Sequence, residues 1–283
     1  MNAFSVDVED YFQVGAFEDT IPRDSWNRFE PRVERNTRRL LDLCAEHGVK
    51  GTFFTLGWVA ERWPGLVRDI QAAGHELGTH GQDHRRVTRM TPAEFREDVR
   101  RSKATIEEIA GVEVIGYRAP NYSIVRETFW AMDVLAEEGF RYDSSVFPIW
   151  HDHYGIPDFP RFPRPVRRTT GENGSALQEF PISTIRMAGV NLPFVGGGYL
   201  RHFPFSFIRW GMRRLNGHER RPALVYFHPW ELDPGQPVQP VGLLKRLRHY
   251  RNLDRTEARL ARLFSEYSFA SCREVLGLLP PNR

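Results

Sequence analysis

Apolar positions along the chain alternate between strand-like and helix-like spacing. Ala3, Phe4, Val6 and Val8 form a short run broken by Ser5 and Asp7, which predicts a buried strand ending on acids. Residues 31–47 then place Val33, Leu40, Leu41 and Leu43 at helical spacing. Asn36 and Thr37 are expected outward, and Gly48 ends the pattern. A strand over 50–56, a helix over 63–73 closed by Gly74 and a strand over 75–78 follow. Thr91 and Pro92 start a helix that runs to about Ala110. Next come a strand at 114–118, a helix at 128–138 closed by Gly139 and a strand edge at 140–143.

Residues 147–174 are rich in Pro, Arg and aromatics and show little periodicity, so they predict one long functional loop. Residues 177–182 and 223–228 predict two late strands, and 257–279 an amphipathic helix with a break near Ser268 and Phe269. Strands alternating with helices argue an α/β fold with a parallel sheet and right-handed crossovers. No internal repeat or low-complexity linker interrupts the chain. The economical division is one domain, with a core over about 1–235 and a C-terminal helical extension over about 240–283.

Composition narrows the function class. Across 283 residues, 41% hydrophobic and 27% charged content is that of an ordinary soluble globular protein. The formal charge is only +3, and no basic stripe is interleaved with aromatics, which argues against nucleic-acid binding. The densest basic stretch, 245–251, is expected to be a solvated helix face. Cys44 and Cys272 lie far apart without metal-type spacing and are expected as buried small apolar residues. No apolar run approaches the ~20 residues needed to span a bilayer. No charged segment followed by an apolar one opens the chain, so a cytoplasmic location is expected.

The chemistry-bearing residues cluster at predicted strand ends, where α/β folds place their sites. His80 and His84 follow the third strand. Four residues apart, they could share one face of a helical turn and bind one divalent metal. Asp7, Glu9 and Asp10 end the first strand, and carboxylates this close together are stable around a cation. Arg118 ends another strand and is suited to hold a carboxylate ionised. His228 ends the strand at 223–228, where it could act as a general acid beside a wall shaped by Pro229 and Trp230. The run Gly196-Gly197-Gly198 would allow backbone to approach a substrate closely.

The ordered set of an Asp-bearing first strand, His80 and His84, Arg118 with Pro120, and His228 resembles the NodB-type polysaccharide deacetylases. Within that family it is most similar to the subgroup of exosortase-associated exopolysaccharide gene clusters. The segments that carry the resemblance are 6–12, 57–61, 74–86, 117–120, 142–145, 154–157 and 226–231. The resemblance implies a distorted (β/α) barrel of about seven strands with elaborated loops.

It also implies roles. Asp7 matches the general base that activates water, His80 and His84 the metal ligands, Arg118 the residue orienting the base, and His228 the acid that protonates the leaving amine. Many members have two adjacent aspartates where Asp7 and Val8 stand, so the third ligand here is Glu9 or Asp10. Glu9 shares Asp7's strand face; Asp10 fits if the strand end bulges, and Asp10 is preferred. The implied cofactor is a divalent metal, zinc first. The implied partner is an N-acetylated oligo- or polysaccharide, with Tyr122, Trp150, His151, His153, Tyr154, Phe159 and Trp230 as sugar-facing candidates. Homo-oligomerisation and work at the inner membrane face are compatible with this reading. The alternatives are an allantoinase-like amide hydrolase on the same fold and a catalytically silent carbohydrate-binding relative.

Overall fold

The computed structural model describes residues 1–152, 154–166 and 177–278. His153 and residues 167–174 of the expected loop, and Leu279 of the expected last helix, lie outside these. The strands are β1 (Asn2–Val8), β2 (Thr52–Thr55), β3 (Glu76–Thr79), β4 (Gly116–Tyr117), β5 (Tyr142–Asp143), β6 (Arg164–Val166), β7 (Leu177–Glu179), β8 (Thr184–Met187), β9 (Val190–Pro193), β10 (Leu224–Phe227) and β11 (Phe269–Ala270). The helices are α1 (Val33–Glu46), α2 (Gly57–Arg62), α3 (Pro64–Ala72), α4 (Pro92–Ala110), α5 (Ala131–Glu137), α6 (Gly197–His202), α7 (Phe205–Arg213), α8 (Leu243–Tyr250), α9 (Thr256–Glu266) and α10 (Cys272–Val275).

The main sheet runs β10-β1-β2-β3-β4-β5-β7-β6, with β11 set against the start of β1. The strands from β10 to β7 in that order all pair parallel, and only β6 joins antiparallel. These seven parallel strands curl into a distorted, incompletely closed (β/α) barrel. Across the seam, Leu224 N–H of β10 donates to Ser183 Oγ just beyond β7, at 2.7 Å.

Strand alternation builds two cores. Phe4, Val6, Val8, Phe53 and Leu77 point outward beneath the helices in one cluster. Ala3, Phe54, Leu224 and Tyr226 point inward with Ile115, Tyr142 and Phe180 in the other. The C-terminal segment plugs the barrel's N-terminal end. There Glu76 accepts from Thr52 Oγ1, Tyr142 OH and Arg273 N–H, and Cys272 N–H donates to Thr52 Oγ1. Cys44 and Cys272 are both buried and free.

Local details depart from the sequence-based expectations. Asn36 and Thr37 of α1 face inward and are buried; Asn36 Nδ2 approaches Asp233 Oδ2 at 3.5 Å. The segment expected as a long loop contains β6, which widens the sheet. The glycine run packs on an aromatic side chain rather than against an open approach to substrate. A Cβ at Gly196 or Gly197 would come within 2.6 Å of the Tyr226 ring. Among the described residues, no helix is long and apolar enough to cross a membrane.

Candidate active site

Asp7, Glu9, His80, His84, Tyr122, Tyr154, Tyr226, His228 and Trp230 line a cavity of about 190 Å³ at the C-terminal end of the parallel strands. β1 delivers Asp7, and a tight turn closed by Glu9 N–H to the Asp7 carbonyl, at 3.0 Å, keeps Glu9 beside it. Asp10 then falls on the other side of the chain. Its Oδ2 accepts from Arg32 N–H at 2.6 Å and Val33 N–H at 2.9 Å, and its Oδ1 from Tyr11 N–H at 2.8 Å. Asp10 therefore caps the N-terminus of α1, where unpaired N–H groups and the helix dipole favour a carboxylate.

That geometry corrects the preference for Asp10 beside the histidines. Glu9, His80 and His84 present ligand atoms that all lie within 4.8 Å of one another, and all three residues are buried. Glu9 Oε2 lies 2.8 Å from His84 Nε2. Among the described residues this oxygen is a buried acceptor with no hydrogen bond that satisfies it, although His84 stands in contact. Glu9 Oε1 is held by Trp230 Nε1–H at 3.2 Å. His80 Nδ1 faces the Arg118 carbonyl at 2.8 Å, which fixes the proton on Nδ1 and leaves the Nε2 lone pair for the cavity. One carboxylate oxygen and two imidazoles converging this way fit a divalent ion of the zinc type.

The histidine pair is not on a helix. His80 continues β3, with its N–H donating to the Thr55 carbonyl. Gly81 (φ 79°) and His84 (φ 52°) are left-handed, and a Cβ at Gly81 would sit 2.8 Å from Asp98 Oδ2. The loop is pinned from several sides. Gln82 N–H donates to Asp98 of α4, and Arg23 donates to the carbonyls of Asp83 and His84.

Arg118 is fully buried and links Asp7 to the barrel wall. Its Nη1 donates to Asp7 Oδ1 and Ser5 Oγ, both at 2.8 Å; Nη2 donates to Ser144 Oγ and Nε to the Ser144 carbonyl. Its guanidinium lies over the Phe54 ring at 4.3 Å. Burial acts against its charge, but Asp7 holds it firmly protonated.

His228 faces Asp7 and Glu9 from β10, with Nε2 at 3.8 Å from Asp7 Oδ2 and from Glu9 Oε1. Its Nδ1 pairs with Glu231 Oε1 at 2.8 Å, and Glu231 Oε2 accepts from Arg201 Nε at 2.7 Å. Burial pulls the His228 imidazolium down, but the bond to Glu231 and the charges of Glu9, Glu231 and Asp7 outweigh it and raise its pKa to about 9. Burial works against the charge of Glu9 too, yet His84, by charge and contact, and then His228 and His80 draw its carboxyl down to about 2. Burial lowers His80 to about 4.

Glu231 and Arg201 were not anticipated as site residues. Glu231 had a local signal: three residues after His228, it completes a capping-box arrangement over Pro229–Leu232. Arg201 had none, because only the tertiary fold brings α6 under Glu231. Trp150 and His151 do not line the cavity. Trp150 stands 78% exposed, while His151 stacks on Tyr154 at 3.8 Å. Phe159 packs against the outer core rather than the cavity.

Residues 19–142 match the family model described as Polysaccharide deacetylase, and residues 144–277 match one described as Domain of unknown function (DUF3473). The chain thus matches a polysaccharide deacetylase model over less than half of its length. It is similar to the peptidoglycan-N-acetylglucosamine deacetylase of Bacillus cereus, at 31% identity over 98 residues. That match covers 34% of this chain and spans 36% of the relative's length. Two solved structures share the fold. A putative polysaccharide deacetylase from Mycobacterium smegmatis has a TM-score of 0.58 at 21% identity, covering 100% of this chain and 93% of that one. Puue allantoinase has 0.59 at 15% identity, covering 96% and 87%.

Proposed function

We propose that the protein is a metal-dependent deacetylase that hydrolyses the N-acetyl groups of N-acetylated sugars in a bacterial exopolysaccharide. The observation that carries this reading is the buried Glu9–His80–His84 cluster, with an undonated carboxylate oxygen, set between Asp7 and His228. The name of the Bacillus cereus relative supports an N-acetylated sugar as substrate. The quoted motif segments, which resemble the exopolysaccharide subgroup, support the polymer class. Glu9, His80 and His84 would hold the metal, which supplies Lewis-acid polarisation of the acetyl carbonyl and a more acidic water.

Asp7 takes the proton of the attacking water, and Arg118 fixes the orientation of that carboxylate through Oδ1. Water oxygen bonds to the acetyl carbon, and the carbon–nitrogen bond then breaks. His228, favoured in its protonated form and aligned by Glu231, gives its Nε2 proton to the departing nitrogen. Acetate and a free amine leave. Tyr122, Tyr154, Tyr226 and Trp230 wall the cavity with aromatic surface on which a pyranose ring can stack.

The test is acetate release from N-acetylglucosamine oligomers by the zinc-loaded protein, compared with release of product from allantoin. Turnover of the oligomers is expected, falling by about 10²–10⁴-fold in Asp7→Asn with bound zinc unchanged. Turnover of allantoin alone would favour the amide-hydrolase alternative. Full activity in Asp7→Asn would remove the assigned base.

A further inference from the structure

Helix α8 presents its apolar side outward. At about 100° per residue, Leu243, Leu247 and Leu244 fall in one arc opposite His249. His249 is buried, with its ring 4.2 Å from Trp230 and 4.7 Å from Phe17. The three leucines are 71%, 48% and 73% exposed, in sequence terms Leu243, Leu247 and Leu244. Exposed Arg246 and Arg248 flank the stripe on either side. From Pro234 to Leu253 the sequence contains Lys245, Arg246, Arg248 and Arg251 but no Asp or Glu. Lys245 reaches one acid from outside the segment, Asp19, at 3.4 Å.

A second apolar projection adjoins the same cavity. Trp150 is exposed next to His151, whose ring stacks on the cavity residue Tyr154, just as His249 of α8 stacks on the cavity residue Trp230. Outward leucines bordered by arginines, with an exposed indole nearby, match the chemistry of an interfacial anchor. Apolar side chains enter the acyl boundary, cations meet lipid phosphates, and Trp sits at headgroup level.

We propose that α8 and Trp150 dock this protein on an anionic phospholipid bilayer, bringing the mouth of the cavity to the membrane surface. Charge selects this occupant over a second copy of the chain, because the flanking arginines would face one another across a symmetric contact. The docking does not depend on the deacetylase reading, because it is measured as lipid binding without substrate or turnover.

The experiment is co-sedimentation of the full chain with vesicles of mixed phosphatidylglycerol and phosphatidylcholine, and with phosphatidylcholine vesicles alone. Binding to the anionic vesicles is expected, weakening as salt rises, with little binding to neutral ones. A triple Leu243→Gln, Leu244→Gln, Leu247→Gln variant should bind at least about tenfold more weakly, with a melting curve little changed because these are the exposed leucines of α8. The blue shift of tryptophan emission on vesicle addition should shrink in Trp150→Phe. Absence of binding to anionic vesicles, equal binding by the triple variant, or a dimer in sedimentation velocity that this variant dissociates would each overturn the proposal.

Discussion

At the scale of single residues, three neighbouring acids divide into three tasks because the chain turns at the end of β1. Asp7 is neutralised by Arg118, Glu9 faces two imidazoles, and Asp10 satisfies the backbone at the start of α1. These tasks respond differently to the same small change. Glu9→Gln replaces the converging oxygen with an amide and should lose bound zinc, measured by elemental analysis after dialysis. Asp10→Asn should keep full zinc occupancy and instead lose about 1–3 kcal/mol of stability in urea, because the amide nitrogen must face an N–H that the carboxylate now accepts. Zinc lost from Asp10→Asn and retained in Glu9→Gln would reverse the ligand assignment.

At the scale of elements, what was legible in the sequence depended on whether the pattern was local. The strand at 114–118 and the helix from Thr91 follow from periodicity and from Pro92 at the helix start, and the structure adds a Thr91–Glu94 capping box there. The inward face of α1 was misread. Asn36 and Thr37 look solvent-facing by type, yet they lie under the turn that follows His228, and tertiary packing overrode residue preference. The left-handed backbone at Gly81 and His84 has no signature in a His-x3-His spacing. The hairpin of β8 and β9 and helices α6 and α7 also went unread, although α6 carries Arg201.

His75, at the entry to β3, shows an element controlling pH behaviour away from the site. Its Nδ1 accepts from Gly51 N–H at 3.1 Å, which requires an unprotonated nitrogen. Burial, with a contribution from Lys50, lowers its pKa from 6.5 to about 4. The folded state therefore binds this proton less readily than the unfolded chain. The stability from neutral His75 is fully present above pH 6.5 and is lost as pH falls from 6.5 toward 4, by about 3 kcal/mol at the limit. Asn in place of His75 can keep the acceptor and cannot titrate. The stability difference between the natural chain and His75→Asn should therefore shift in favour of the variant by about 2 kcal/mol between pH 7 and pH 5, measured by urea unfolding. An unchanged difference would remove His75 as the titrating group.

At the scale of the molecule, the boundary between the two matched families cuts through the site. His80, His84 and Arg118 lie within the first match, Asp7 and Glu9 precede it, and Arg201, His228, Trp230 and Glu231 lie within the second. The sheet is interrupted in the same way. β1 pairs with β2 on one side, but its other neighbours, β10 and β11, come from the second half. Phe4 of β1 packs edge-on against Phe264 of α9 at 4.9 Å, and Glu76 on β3 accepts the N–H of Arg273. A fragment of residues 1–142 would thus leave β1 as a bare central edge, with Phe4 exposed and Glu76 without its partner from α10. Such an edge pairs readily with other chains. The fragment should aggregate or show no cooperative thermal transition by circular dichroism, while the full chain melts cooperatively. Co-expressing residues 143–283 should restore a soluble complex with His228 returned to the cavity. A cooperative melt of 1–142 alone would mean that the first half folds without β10 and β11, and that the second half contributes to the site without holding up the sheet.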